Sequence, residues 1–83
     1  MTGYCVSDIA AITGGVLSGD GTAPVTGVVI DSRAITPGAL FAAIPGERVD
    51  GHDYIGKAFD LGAACCLAQR VPAGETRPVI CVP

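Results

Sequence analysis

The chain has 83 residues, 49% hydrophobic and 16% charged, which describes one small domain with enough apolar surface for a core and too many core residues for a disordered segment. The formal net charge is -3, and the five basic residues Arg33, Arg48, Lys57, Arg70 and Arg77 are scattered; with only two tyrosines and two phenylalanines, this argues against a nucleic-acid surface. No apolar run approaches the roughly 20 residues of a membrane span, and the N-terminus has neither the basic lead nor the apolar stretch of a signal peptide, so no membrane partner and a cytoplasmic location are expected.

Taken in order, Ser7-Asp8 reads as a helix cap before Ile9-Ala10-Ala11-Ile12, with Ile9 and Ile12 on one face and Gly14-Gly15 as the stop. Val16-Leu17 is a brief strand, and Asp20-Gly21 a tight turn. The run from Val25 to Asp31 is too apolar for a one-sided strand and predicts burial on both faces. Pro37-Gly38 breaks the chain before a second buried strand, Leu40 to Ile44.

Asp50-Gly51 is another turn, and Asp53 is the expected cap of a helix carrying Tyr54, Ile55, Ala58, Phe59 and Leu61 at spacings of three and four. Gly62 ends that helix, and Ala64 to Ala68 is a strand on which Cys65 and Cys66 point to opposite faces. Strand, helix and strand from Ala39 to Ala68 fill the roughly 30 residues of a βαβ unit. A polar connection from Val71 to Pro78 leads to a last strand, Val79 to Val82, one residue before the chain stops, the pattern of a domain taken from a longer protein. Cys5, Cys65, Cys66 and Cys81 have no metal-ligand spacing and read as reduced, small core residues.

The expected fold is therefore α/β, a small mixed and largely parallel sheet with two to three helices. In such sheets ligands bind outside the carboxyl ends of the strands, and here two strands each deliver a polar cluster. After Ile30 comes Asp31-Ser32-Arg33, whose hydroxyl and backbone groups can read the edge of a planar ring, or whose charges simply pair and set the turn. After Ile44 comes Gly46-Glu47-Arg48-Val49-Asp50-Gly51-His52, a glycine-bracketed loop able to bring backbone N–H groups and the Arg48 guanidinium to an anion, or to stand solvated. His52 can touch a ligand or hydrogen-bond its own loop. No nucleophile and base pair assembles, and no G-x-x-x-x-G-K-[ST] loop for ATP is present.

The combination D-S-R at 31–33, P-G-A-L-F-A-A at 37–43, G-E-R at 46–48 and D-G-H-D-Y-I at 50–55, in this order and spacing, resembles the N-terminal domain of the Mur ligases of bacterial peptidoglycan synthesis. The Gly14-Gly15 and Gly19-Asp20-Gly21 segment is most similar to the branch that adds D-alanyl-D-alanine, and next to the branch that adds diaminopimelate or lysine. Ala39 departs from the Asp usual after Pro-Gly, a change expected to affect a turn.

The resemblance implies that residues 1–83 are a UDP-N-acetylmuramoyl-peptide binding domain. Ile30, Ser32 and Arg33 would lie near the uridine and Glu47, Arg48 and Val49 near the diphosphate, with Gly46, Asp50, Gly51 and His52 shaping that loop. It further implies no catalytic residue and no cofactor here, ATP and magnesium being used by central and C-terminal domains absent from this chain, and a monomer. An interaction module that kept the fold without nucleotide binding is the reading of another class.

Overall fold

Short apolar runs set the sheet. In the computed structural model, which describes residues 3–43 and 51–82, five of them pair side by side: β1 (Val16–Ser18), β2 (Gly27–Val29), β3 (Ala39–Ala42), β4 (Cys65–Ala68) and β5 (Val79–Cys81). The order across the sheet is β1-β5-β4-β3-β2, with β1 antiparallel to β5 and every other pair parallel. The mixed, largely parallel sheet expected from the sequence is thus the one observed.

Alternation along the three inner strands splits the core in two. Phe41, Cys66 and Val79 face one side, where Ile55, Ala58 and Phe59 of helix α2 (Ile55–Asp60) cover them. Leu40, Cys65 and Ile80 face the other, under Val6, Ile9 and Ala10 of helix α1 (Val6–Thr13). The adjacent cysteines, both fully buried, fall in different clusters, as a period of two requires. Burial pushes the Cys65 thiol up to about 11 and the Cys66 thiol up to about 12, so both behave as small apolar groups.

Helix α1 begins earlier than Ser7-Asp8 suggests. Cys5 is the cap: its N–H donates to Asp8 Oδ2 at 2.9 Å and its thiol to the same oxygen at 3.2 Å. Starting at Val6 turns the face of Val6, Ile9 and Ala10 inward, and Ile12 is 66% exposed instead of sharing a buried face with Ile9. Gly14, at φ 71°, closes the helix in the left-handed conformation that glycine adopts freely.

The Val25 to Asp31 run also differs from expectation. Only Gly27–Val29 is strand, and it is an edge strand paired with β3 alone. Val28 and Ile30 are exposed, while Val25 is buried under α1. An apolar run shows that a strand can be buried, but its place in the sheet is decided by where the chain goes next. Here residues 30–38 cross directly to β3 through the Pro37-Gly38 turn, in which Ala39 N–H donates to the Thr36 carbonyl and Gly38 sits at φ 84°.

The βαβ unit from β3 through α2 to β4 is present, but Asp53 is not its helix cap. A 3-10 turn, Gly51–Tyr54, leads into α2, so Tyr54 takes the cap position without a side-chain hydrogen bond. The connection before β5 is pinned to α2. Glu75 accepts from the Thr76 and Arg77 N–H groups and from both arms of the Arg77 guanidinium, which also reaches Asp60 and lies 4.6 Å above the Phe59 ring.

Candidate functional site

Because β2, β3 and β4 run parallel, their carboxyl ends lie along one edge of the sheet. The first segment leaving that edge is stiffened by its own charges. Asp31 Oδ1 accepts the Arg33 N–H at 2.9 Å, starting the 3-10 turn Ser32–Ala34, and the Arg33 guanidinium returns to the same carboxylate through Nε at 3.1 Å and Nη2 at 3.0 Å. The guanidinium holds Asp31 below the usual carboxylate range, and the carboxylate raises Arg33 in turn. The fork stays in water, with the Arg33 side chain 84% exposed, so its effect is on turn geometry more than on stability. Ser32, between the two, is tucked in and buried.

Opposite this turn stand the 3-10 turn at Gly51 and the first turns of α2. Between the two walls lies an open hollow of about 650 Å³. Ile30, Asp31, Ser32 and Arg33 form one side, Gly51, Tyr54 and Lys57 the other, and Phe41 of β3 closes the inner end. Tyr54 and Ile35 both pack on the core beneath α2, which fixes the spacing between the walls. Lys57, one helical turn beyond Tyr54, is exposed.

Of the residues singled out from sequence, Ile30, Ser32, Arg33 and Gly51 therefore meet around one space. Gly46, Glu47, Arg48, Val49 and Asp50 lie outside the described residues. His52 is buried, and its Nε2 accepts the Gln69 backbone N–H at 3.0 Å. That ring nitrogen is thus committed as an acceptor to the end of β4. Phe41, Tyr54 and Lys57 were not singled out. The helical spacing of Tyr54 and Lys57 was legible, but placing them on the site requires knowing that α2 packs over the end of β3.

A second hollow, of about 540 Å³, lies beside the cap of α1 and is lined by Tyr4, Cys5, Asp8 and Thr22 among others. Its cysteine and carboxylate are already spent on each other and on Ser7. Among the described residues no group of His, Cys, Asp and Glu could hold a metal ion, and no helix is long and apolar enough to cross a membrane.

Fold and geometry together define an α/β domain with an open hollow at the carboxyl edge of its parallel strands. The chain belongs to the Mur ligase family: residues 24–80 match the model described as Mur ligase family, catalytic domain. Over 89 aligned positions covering 100% of the chain, it is 48% identical to the UDP-N-acetylmuramoyl-tripeptide--D-alanyl-D-alanine ligase of Mycobacterium tuberculosis, of which the match covers 17%. It is 49% identical over 63 residues, 76% of the chain, to the UDP-N-acetylmuramoyl-L-alanyl-D-glutamate--2,6-diaminopimelate ligase of Streptomyces coelicolor, covering 12% of that protein. The chain thus spans less than a fifth of the length of these relatives.

Among solved structures, the UDP-N-acetylmuramoylalanyl-D-glutamyl-2,6-diaminopimelate--D-alanyl-D-alanyl ligase of Acinetobacter baumannii superposes with a TM-score of 0.78 over 95% of this chain and 18% of that one; at 23% identity, this speaks for the fold. The MurF ligase of Thermotoga maritima in complex with ADP gives a TM-score of 0.60 at 32% identity, over 72% of this chain and 13% of that one.

Proposed function

We propose that this chain is the N-terminal, substrate-anchoring domain of an ATP-dependent peptidoglycan ligase, and that it holds the UDP end of a UDP-N-acetylmuramoyl-peptide. The observation that carries this reading is the hollow in which the Asp31-Ser32-Arg33 turn faces Gly51 and the start of α2. Family membership supplies the ligand class. Ile30 and Ser32 would lie along the uridine, and the loop 46–50 would approach the diphosphate.

The described residues do not fit ATP or magnesium. The sequence has no phosphate loop, and among the described residues no group of His, Cys, Asp and Glu could hold a metal ion. Those groups are assigned to the rest of the ligase. The chemistry of this chain is then binding and orientation. Contacts to a remote nucleotide hold a distant carboxylate in place, replacing the encounter of mobile partners with an oriented one.

Within the family we assign the chain to the D-alanyl-D-alanine-adding branch, because its match to that branch runs the whole length of the chain. The diaminopimelate-adding branch is the second reading, favoured by an identity of 49% over a shorter span. Phosphate release by the full-length ligase, given the UDP-linked tripeptide with D-alanyl-D-alanine or the UDP-linked dipeptide with diaminopimelate, separates the two.

The anchoring role is tested by titrating the isotope-labelled 83-residue chain with UDP. Amide shifts are expected at residues 30–33 and 46–57. An unperturbed spectrum at millimolar UDP would refute the role and leave an interaction module with this fold.

A further inference from the structure

We propose that Lys57 is the residue of α2 that contacts the anionic part of the ligand in this hollow, and that Arg33 is a positioning residue which holds its own turn. This rests on the reading of the hollow as the UDP site and assigns the work within it.

The argument is one of charge already committed. The described residues lining the hollow include three charged side chains, Asp31, Arg33 and Lys57. Asp31 and Arg33 cancel through two parallel hydrogen bonds, and the same carboxylate takes the Arg33 N–H that starts the turn, so swinging the guanidinium to a ligand would give up both of its bonds to Asp31. Lys57 makes no ion pair or side-chain hydrogen bond among the described residues. The carboxylate one turn ahead of it, Asp60, is taken by Arg77 at 3.3 Å. Asp53, one turn behind, forms no ion pair with it.

The ammonium of Lys57 is therefore the described cation of the hollow whose charge is not neutralised by a neighbour. Its place beyond Tyr54 on α2 lets the aliphatic stem run along the wall while the head stays in water. A phosphate arriving there gains a charge-assisted contact without displacing a protein partner.

The test uses the full-length ligase, with UDP and uridine as inhibitors competing with the UDP-linked substrate. Lys57→Gln is expected to weaken UDP inhibition about tenfold and to raise the KM of the UDP-linked substrate similarly, with uridine inhibition and the KM for ATP within about twofold of wild type. Lys57→Arg should restore most of the loss. Arg33→Gln should weaken UDP and uridine together and by less than about threefold, because it loosens the turn that both ligands touch.

Equal UDP inhibition of wild type and Lys57→Gln overturns the assignment of Lys57. A selective loss of UDP over uridine in Arg33→Gln returns the contact to Arg33 and overturns the division proposed. If UDP fails to compete in the wild type, the hollow itself has been misread and the proposal falls with it. Lys57 is exposed, so matched melting temperatures should hold across its variants and exclude misfolding as the cause.

Discussion

His52 decides between a binding and a structural use of the second turn, and its removal has a calculable cost. The imidazole is 6% exposed, and Nε2 accepts the Gln69 N–H at 3.0 Å, joining the entry of α2 to the end of β4. In His52→Ala the lost hydrogen bond costs about 1 kcal/mol, and the cavity left by the ring about 1–2 kcal/mol more. For a domain of this size each kcal/mol is worth about 4–8 °C, so the melting temperature should fall by about 10–20 °C. His52→Gln keeps an acceptor and part of the volume, and should recover about 4–8 °C of that loss. Melting followed by circular dichroism reads the stability, and hydrogen exchange at Gln69 reads the bond itself. Unchanged protection of the Gln69 amide in His52→Ala would refute the tie. So would a His52→Gln variant that melts like wild type but no longer binds UDP, since that outcome makes the ring a ligand contact.

Two further expectations concern charge and thiols. Hydrogen bonds from Arg77 hold the Glu75 carboxyl below its ordinary value of 4.5. The unfolded chain therefore takes up the proton first, and the stability from this pair is complete above about pH 5 and lost as pH falls through the lower, folded value. Urea unfolding between pH 6 and 3 should show a shallower acid loss in Glu75→Gln than in wild type, and an identical slope would dissociate Glu75 from acid stability. Iodoacetamide at pH 8 should label Cys5 and Cys81 of the folded chain well ahead of Cys65 and Cys66, with all four labelled in denaturant; native labelling of Cys66, checked by peptide mass, would contradict its burial.

The interior was more legible in the sequence than the site was. Alternation predicted the split of Cys65 and Cys66 between two core faces, because a two-residue period is local and admits one outcome on a strand covered on both sides. The place of β2 was not legible. Val25 to Asp31 has the composition of an inner strand, yet the crossover through residues 30–38 leaves it at the edge, with Val28 and Ile30 in solvent. Helix starts slipped for a related reason: Cys5 caps through its thiol and its neighbour Asp8, a use of cysteine that no cap preference signals. At the site, the sequence showed which residues carry charge. It offered the Asp31–Arg33 pair as one of two readings, because the two lie two residues apart on one turn, but it did not show that Arg77 takes Asp60 or that Gln69 takes His52, pairings that depend on how segments distant in the chain are brought together.

Under the proposed role, those same pairings would let so small a domain offer a defined site. Three successive parallel strands end on one edge, and the described turns beside it are held by groups that pair within the protein. Asp31 and Arg33 lock the first turn, His52 joins the second to the end of β4, and Tyr54 anchors the start of α2 in the core. A ligand entering between them meets walls already in position, so less of its contact energy is consumed in ordering side chains and turns. For a domain whose proposed role is to hold one end of a long substrate, that matters more than the number of contacts. Loosening His52 or the Asp31–Arg33 fork should weaken binding without removing any atom that touches the nucleotide, whereas removing the Lys57 charge should weaken it without moving either wall.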